Sequence, residues 1–129
     1  MAIIRIKNLL LRTYIGFKEE ELANKQDVII NMTIDVDHDN AIKNDAIDGA
    51  YNYRTITKQV ISLVQDKQFK MLEKLTQSIL DEIMANKNVR FAKVEVDKPH
   101  ALRFAESVSI ELKASRYNPK NYSWLAYKN

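Results

Sequence analysis

Val28, Ile30, Met32, Ile34 and Val36 repeat with a strict period of two, with Asn31, Thr33, Asp35 and Asp37 on the alternate positions. That alternation predicts a β-strand with one apolar face. Ile3 to Tyr14, rich in β-branched residues and leucine, predicts a strand before it, broken at Gly16. A third strand is expected over Val89 to Lys98, with Ala92, Val94 and Val96 on one face and Lys93, Glu95 and Asp97 on the other. In a fourth, Val108, Ile110 and Leu112 point inward and Ser107, Ser109 and Glu111 outward. Between the two pairs the period changes. Ile56, Val60, Leu63 and Val64 have helical spacing behind Asn52 as N-cap, and Leu72, Leu75, Ile79 and Ile83 make a second stripe, preceded by Phe69 and Met71. Phe17–Gln26, with Glu19, Glu20 and Glu21 in a row, reads as a polar connection. Asp37–Ala50 reads as a polar loop long enough for a structural or binding role. Strand, strand, helix, helix, strand, strand predicts an α+β layer, a four-stranded antiparallel sheet with both helices on one face. Val28–Val36 and Val89–Val96 are long and regular, with no evident edge-blocking device, and are expected to leave open edges that invite pairing. A closed ring of subunits would remove them.

At 129 residues, the chain is the size of one domain with a real core, and its 46% hydrophobic and 29% charged residues are those of a soluble globular protein. No apolar run reaches membrane-spanning length, and Met1-Ala2-Ile3-Ile4-Arg5 does not begin a signal peptide. With no cysteine, disulfides, thiolate nucleophiles and cysteine zinc sites are excluded, and a cytoplasmic location is expected. The net charge of +3 is spread among interspersed residues, so no basic stripe points to nucleic acid. Gly16 and Gly49 are the two glycines, too few for a phosphate-cradling loop. Asp35-Val36-Asp37-His38-Asp39 starts like a calcium loop, but Asn40 stands where glycine is needed and Ala46 where glutamate is, which leaves a solvated acidic turn. His100 has no second histidine or cysteine nearby in sequence to complete a metal site.

Three residues carry chemistry against this background. Lys98 falls on the apolar parity of its strand, and Pro99 is expected to stop the ladder because it has no N–H to donate. A lysine at the rim of an apolar pocket is poorly hydrated and becomes a usable acid or base; the plain alternative is a stem that snorkels to water. Glu73 lies in the first turn of the second helix. The helix dipole favours a carboxylate there, and a fixed carboxylate can also accept two parallel N–H bonds from an amino-pyrimidinone edge. Tyr53 opens the first helix, either as an amphipathic staple or as a ring that stacks on a flat ligand and moves a proton.

Several stretches together resemble the dihydroneopterin aldolase family. They are Ile3-Ile4-Arg5-Ile6-Lys7-Asn8-Leu9, Tyr14-Ile15-Gly16-Phe17-Lys18-Glu19-Glu20-Glu21 with Gln26, and Asn52-Tyr53-Arg54-Thr55. Leu72-Glu73-Lys74-Leu75-Thr76-Gln77 and Asp97-Lys98 followed by His100-Ala101-Leu102-Arg103 complete the set. Within the family, His100 and Arg103 after Lys98 are similar to the bacterial branch of dihydroneopterin triphosphate 2′-epimerases; aldolases generally have small residues there. The resemblance implies the tunnelling fold over residues 1–114, with four sheets closed into a barrel, two barrels stacked as a homo-octamer, and sites between subunits. It implies Lys98 as the catalytic lysine, Tyr53 as a catalytic tyrosine from the adjacent subunit, and Glu73 with the backbone at Leu72 as the anchor of the pterin edge. Glu21 would lie near the substrate side chain, with Arg103, His100 and the neighbour's Arg54 as cations for its phosphates. No metal, cofactor or Schiff base is implied. The implied chemistry is retro-aldol cleavage between C1′ and C2′. Rejoining on the opposite face inverts C2′, while release of glycolaldehyde, as a rival outcome or a weak side reaction, is the aldolase result. A silent scaffold on the same fold is the reading from another class, and the joint presence of Lys98, Tyr53, Glu73 and Glu21 argues against it. Residues 115–129 are an aromatic extension, with Tyr117, Tyr122, Trp124 and Tyr127, expected to dock on this subunit or a neighbour.

Overall fold

The structure is a computed structural model that describes residues 2–37, 45 and 51–116. The elements run β1 (Ala2–Thr13), α1 (Glu19–Ala23), β2 (Gln26–Val36), α2 (Tyr53–Asp66), α3 (Leu72–Met84), β3 (Val89–Pro99) and β4 (Ser107–Ser115). The expected acidic turn at His38 and the aromatic extension beyond Arg116 lie outside the described residues.

The four strands form one antiparallel sheet in the order β1-β2-β3-β4. The expectation about its edges is corrected by this order. β2 and β3 are the central strands, paired with each other from Ile29↔Asp97 to Val36↔Val89, and among the described residues β1 and β4 are the outer strands. Their near-continuous alternation reflects burial at the centre of the sheet. Val28, Ile30, Ile34, Val94 and Val96 are completely buried under α2 and α3. The helices close that face with Ile56, Val60 and Val64 from α2 and Leu75, Ile79 and Ile83 from α3. The inward parity of β4 is as expected, but Val108, Ile110 and Leu112 are only half-buried, as fits an edge strand.

β1 changes parity along its length. Ile4 and Ile6 stand opposite Ile34 and Met32, a register shift follows, and then Leu9, Leu11 and Thr13 stand opposite Ile30, Val28 and Gln26. The extra residue is taken up at Asn8, in the left-handed region at φ 54°, whose amide donates to Asn31 Oδ1 at 2.9 Å. The bulge keeps both halves of β1 facing the helices. It thereby buries Thr13, whose hydroxyl donates to the Val64 carbonyl near the end of α2 at 2.7 Å.

Asn52 caps α2 as expected, its Oδ1 accepting from the amides of Arg54 and Thr55 at 3.0 and 3.2 Å. Two further expectations are corrected. Phe17–Gln26 contains a short helix, α1, with Glu19, Glu20 and Glu21 in its first turn, where the helix dipole favours them. Pro99 does not stop the ladder. It pairs with Ser107, and the next amide, His100 N, still donates to Glu106 O at 3.4 Å. The missing N–H of Pro99 therefore faces the β2 side, where pairing has already ended at Ile29↔Asp97.

Candidate active site

Lys98 is the last core-parity residue of β3, opposite Val108 and one residue beyond the end of β2 pairing. Its ammonium is thus free of a strand neighbour on that side and meets α1 instead. Lys98 Nζ donates to Glu21 Oε2 at 2.6 Å, with 14% and 18% of the two side chains exposed. A pair this withdrawn is screened far less than a surface salt bridge, yet a ligand can still reach it. The expected apolar rim is corrected to a polar one: Lys98 shares a cleft of about 330 Å³ with Lys18, Glu21, Asn24, Gln26 and His100.

Glu21 is the N3 residue of α1, and its carboxylate reaches back to the Lys18 amide at 3.2 Å. Its pKa is pushed down from 4.5 to about 2. The hydrogen bond from Lys98 is the largest cause, partly opposed by burial, with the Lys18 amide, the charge of Lys98 and the Gln26 side chain adding to the lowering. The group is a carboxylate at any physiological pH. It can fix a neighbouring ammonium and accept hydrogen bonds, but it cannot serve as the acid.

Leu72 and Glu73 belong to the same end of the molecule. Tyr14–Gly16 carries the chain from β1 towards α1, and the segment that leads into α3 is bound to it. Gly16 N donates to Phe69 O at 2.9 Å, and Phe69 N to Tyr14 O at 3.3 Å. Met71 caps α3 without a side-chain hydrogen bond, so the first-turn amides at Leu72 and Glu73 have no intrahelical acceptor. The Glu73 side chain is exposed beside them. Carboxylate acceptors and amide donors at one helix start suit a heterocycle edge with both donors and an acceptor.

Tyr53 and Arg54 are elsewhere. A second cleft joins Asn52 and Thr55, at the start of α2, to Glu82, Ala85 and Asn86, at the end of α3. The two helices therefore run in opposite senses, and Tyr53 lies at the far end of the helical layer from Glu73, ~20 Å away at 1.5 Å rise per residue. Tyr53 is 53% exposed, so it is not a staple on its own core. Arg103 is in the exposed β3–β4 connection, its guanidinium 5.8 Å from the Phe104 ring centroid. One chain thus brings Lys98, Glu21 and His100 together, ties Leu72 and Glu73 nearby through the Gly16 loop, and does not bring Tyr53 or Arg54 to them.

Gln26 and Gly16 are parts of the site that pattern reading does not single out. Gln26 closes the expected polar connection and in the structure opens β2; its Nε2 donates to Ile15 O at 3.0 Å and its side chain lines the cleft beside Glu21. Among the described residues, no group of acidic, histidine or cysteine side chains could hold a metal ion, and no helix is long and apolar enough to cross a membrane.

The fold is that of the dihydroneopterin aldolases. The crystal structure of Escherichia coli dihydroneopterin aldolase in complex with neopterin superposes with a TM-score of 0.83, covering 89% of this chain and all of that one, at 23% identity. The family model FolB, dihydroneopterin aldolase, matches residues 4–113, and the chain belongs to this family. It is 59% identical over 116 residues to the dihydroneopterin triphosphate 2′-epimerase of Pseudomonas aeruginosa, covering 90% of this chain and 94% of that protein. To the epimerase of Escherichia coli K12 it is 53% identical over 115 residues, 89% of this chain and 96% of that one.

Proposed function

We propose that this chain is a cytoplasmic dihydroneopterin triphosphate 2′-epimerase that acts as a homo-octamer of two stacked tetrameric rings. The observation that carries the reading is the 2.6 Å pair of Lys98 and Glu21 in a cleft with His100, on a chain more than half identical to two named epimerases. The pterin edge binds between the Glu73 carboxylate and the backbone at Leu72, which leaves its side chain directed at Lys98. Lys98, an ammonium beside Glu21, relays the proton: it gives one to N5 and takes up that of the 2′-hydroxyl as the C1′–C2′ bond breaks. The bonding electrons move into C1′=C6, and N5 receives the proton. The ring thereby stores the pair as an enamine, and the C2′ fragment becomes an aldehyde. If the aldehyde turns over before the bond re-forms, C2′ returns inverted and the proton passes back from N5 to the 2′-oxygen. Glu21, ionised throughout, holds Lys98 at the reacting hydroxyl.

The ring assembly is supported by how one chain separates the expected site residues. Among the described residues β1 and β4 are the outer strands of the sheet, and Tyr53 and Arg54 are a helix length from the cleft. Phe17, Met71, Leu102 and Phe104 expose more than half their surface around the site end, Phe104 almost completely. A second subunit that pairs an edge strand would cover this apolar rim and supply Tyr53 over the pterin ring, with Arg54 joining His100 and Arg103 as cations for the triphosphate. Incubation with dihydroneopterin triphosphate and with dihydroneopterin, followed by chromatography of the pterins, tests the reading. The inverted triphosphate is the expected main product; cleaved hydroxymethyl-pterin as the main product from both substrates would make the enzyme an aldolase.

A further inference from the structure

Glu21 sits on a short polar helix, where a glutamate side chain ordinarily sweeps through many rotamers. Here it is held from several directions. Lys98 Nζ and the Lys18 amide donate to its carboxylate, and Gln26, whose side-chain amide is anchored on the Ile15 carbonyl, lines the cleft beside it. The remaining side is the backbone of Gly16. A Cβ built on Gly16 would stand closer than 3.0 Å to Glu21 Cδ and both carboxylate oxygens. Gly16 also has φ +128°, a conformation that L side chains rarely adopt. Nor can the residue slide aside, because its amide donates to Phe69 O in the segment leading to α3.

We propose that Gly16 and Gln26 are the positioning residues of this site. Gly16 leaves open the space that the Glu21 carboxylate fills, and Gln26, fixed on the Ile15 carbonyl, walls the carboxylate in, so that Lys98 is drawn to one place in the cleft. Neither touches a reacting atom; both act through Glu21. The Glu21 carboxylate is the flexible end of its side chain, so a methyl group at position 16 displaces it at the expense of the Lys98 contact, besides straining the backbone at φ +128°. This rests on Lys98 being the proton carrier proposed above, held in place by Glu21.

The test is a pair of double-mutant cycles on the full chain, with kcat and KM for the triphosphate and the thermal midpoint measured for each variant. Gly16→Ala and Gln26→Leu are each combined with Glu21→Ala. Each single variant is expected to lower kcat about tenfold or more, within the span of acid/base effects. In the Glu21→Ala background, either change should alter kcat by less than about twofold, because the group it positions is gone. Effects that multiply in full, or wild-type kcat in Gly16→Ala, would overturn the proposal. If Gly16→Ala does not fold, Gln26→Leu decides it without backbone strain: unchanged kcat there overturns the positioning role. Unchanged turnover in Glu21→Ala would defeat the acid/base reading as well. Loss in Glu21→Ala with none in the other two would defeat the positioning role alone.

Discussion

Glu21→Gln removes the charge that holds Lys98 and keeps the shape of the side chain. In the folded chain the Glu21 pKa is near 2, against an ordinary 4.5. A group whose pKa is lowered by folding stabilises the fold above its unfolded value, and that contribution fades as pH falls towards the folded value. At about 1.4 kcal/mol per tenfold change in proton affinity, the full contribution at neutral pH is ~3 kcal/mol. Both side chains keep some contact with water, and the variant retains a neutral acceptor for Lys98, so a loss of about 1–3 kcal/mol is expected at pH 7. Wild type and variant should converge as the pH is lowered from 4.5 towards 2. Urea midpoints at fixed protomer concentration, taken across that range, measure it, since an oligomer's stability depends on concentration. Curves that stay parallel from neutral to acid pH would refute the ion pair as the cause. Because Glu21 remains ionised through this range, an acid limb in the rate near pH 5 would belong to another group.

Lys98→Ala is expected to cost ~10²–10⁴ in kcat while assembly by light scattering is unchanged, and near-normal turnover would remove Lys98 from the mechanism. Glu73→Gln places a donor against the donors of the pterin edge, and calorimetry with neopterin should show binding weaker by ~1–3 kcal/mol. Arg103→Ala should raise KM for the triphosphate much more than for dihydroneopterin, a preference that shrinks in high salt; equal effects on the two substrates would release Arg103 from phosphate binding.

The elements that alternate or repeat over a long run were legible: β2 and β3, both long helices, and the Asn52 cap. What was not legible has physical reasons. α1 is only Glu19–Ala23 and polar on all sides, so it has no apolar stripe to show its period. The parity change in β1 turns on one residue, Asn8, whose left-handed backbone and bond to Asn31 depend on the partner strand. Strand order is a tertiary property, which is why β2 and β3 read as edges while lying at the centre. Lys98 was anomalous by parity alone, but Glu21 is 77 positions away, and no local spacing joins them. Only the family resemblance placed both in one site. Gly16 read as a strand breaker and Gln26 as the end of a polar connection, because what each does is visible only once Glu21 folds back beside them.

One measurement asks directly whether Lys98 and Glu21 of one chain and Tyr53 of another make a single site. Tyr53→Phe and Lys98→Ala chains, each inactive alone, are mixed in equal amounts, unfolded, refolded together and assayed with dihydroneopterin triphosphate. Shared sites in a symmetric ring that assembles at random regain about a quarter of wild-type activity, since each intact site needs Lys98 from one variant and Tyr53 from the other. Mixed oligomers that form and stay inactive would contradict the shared site.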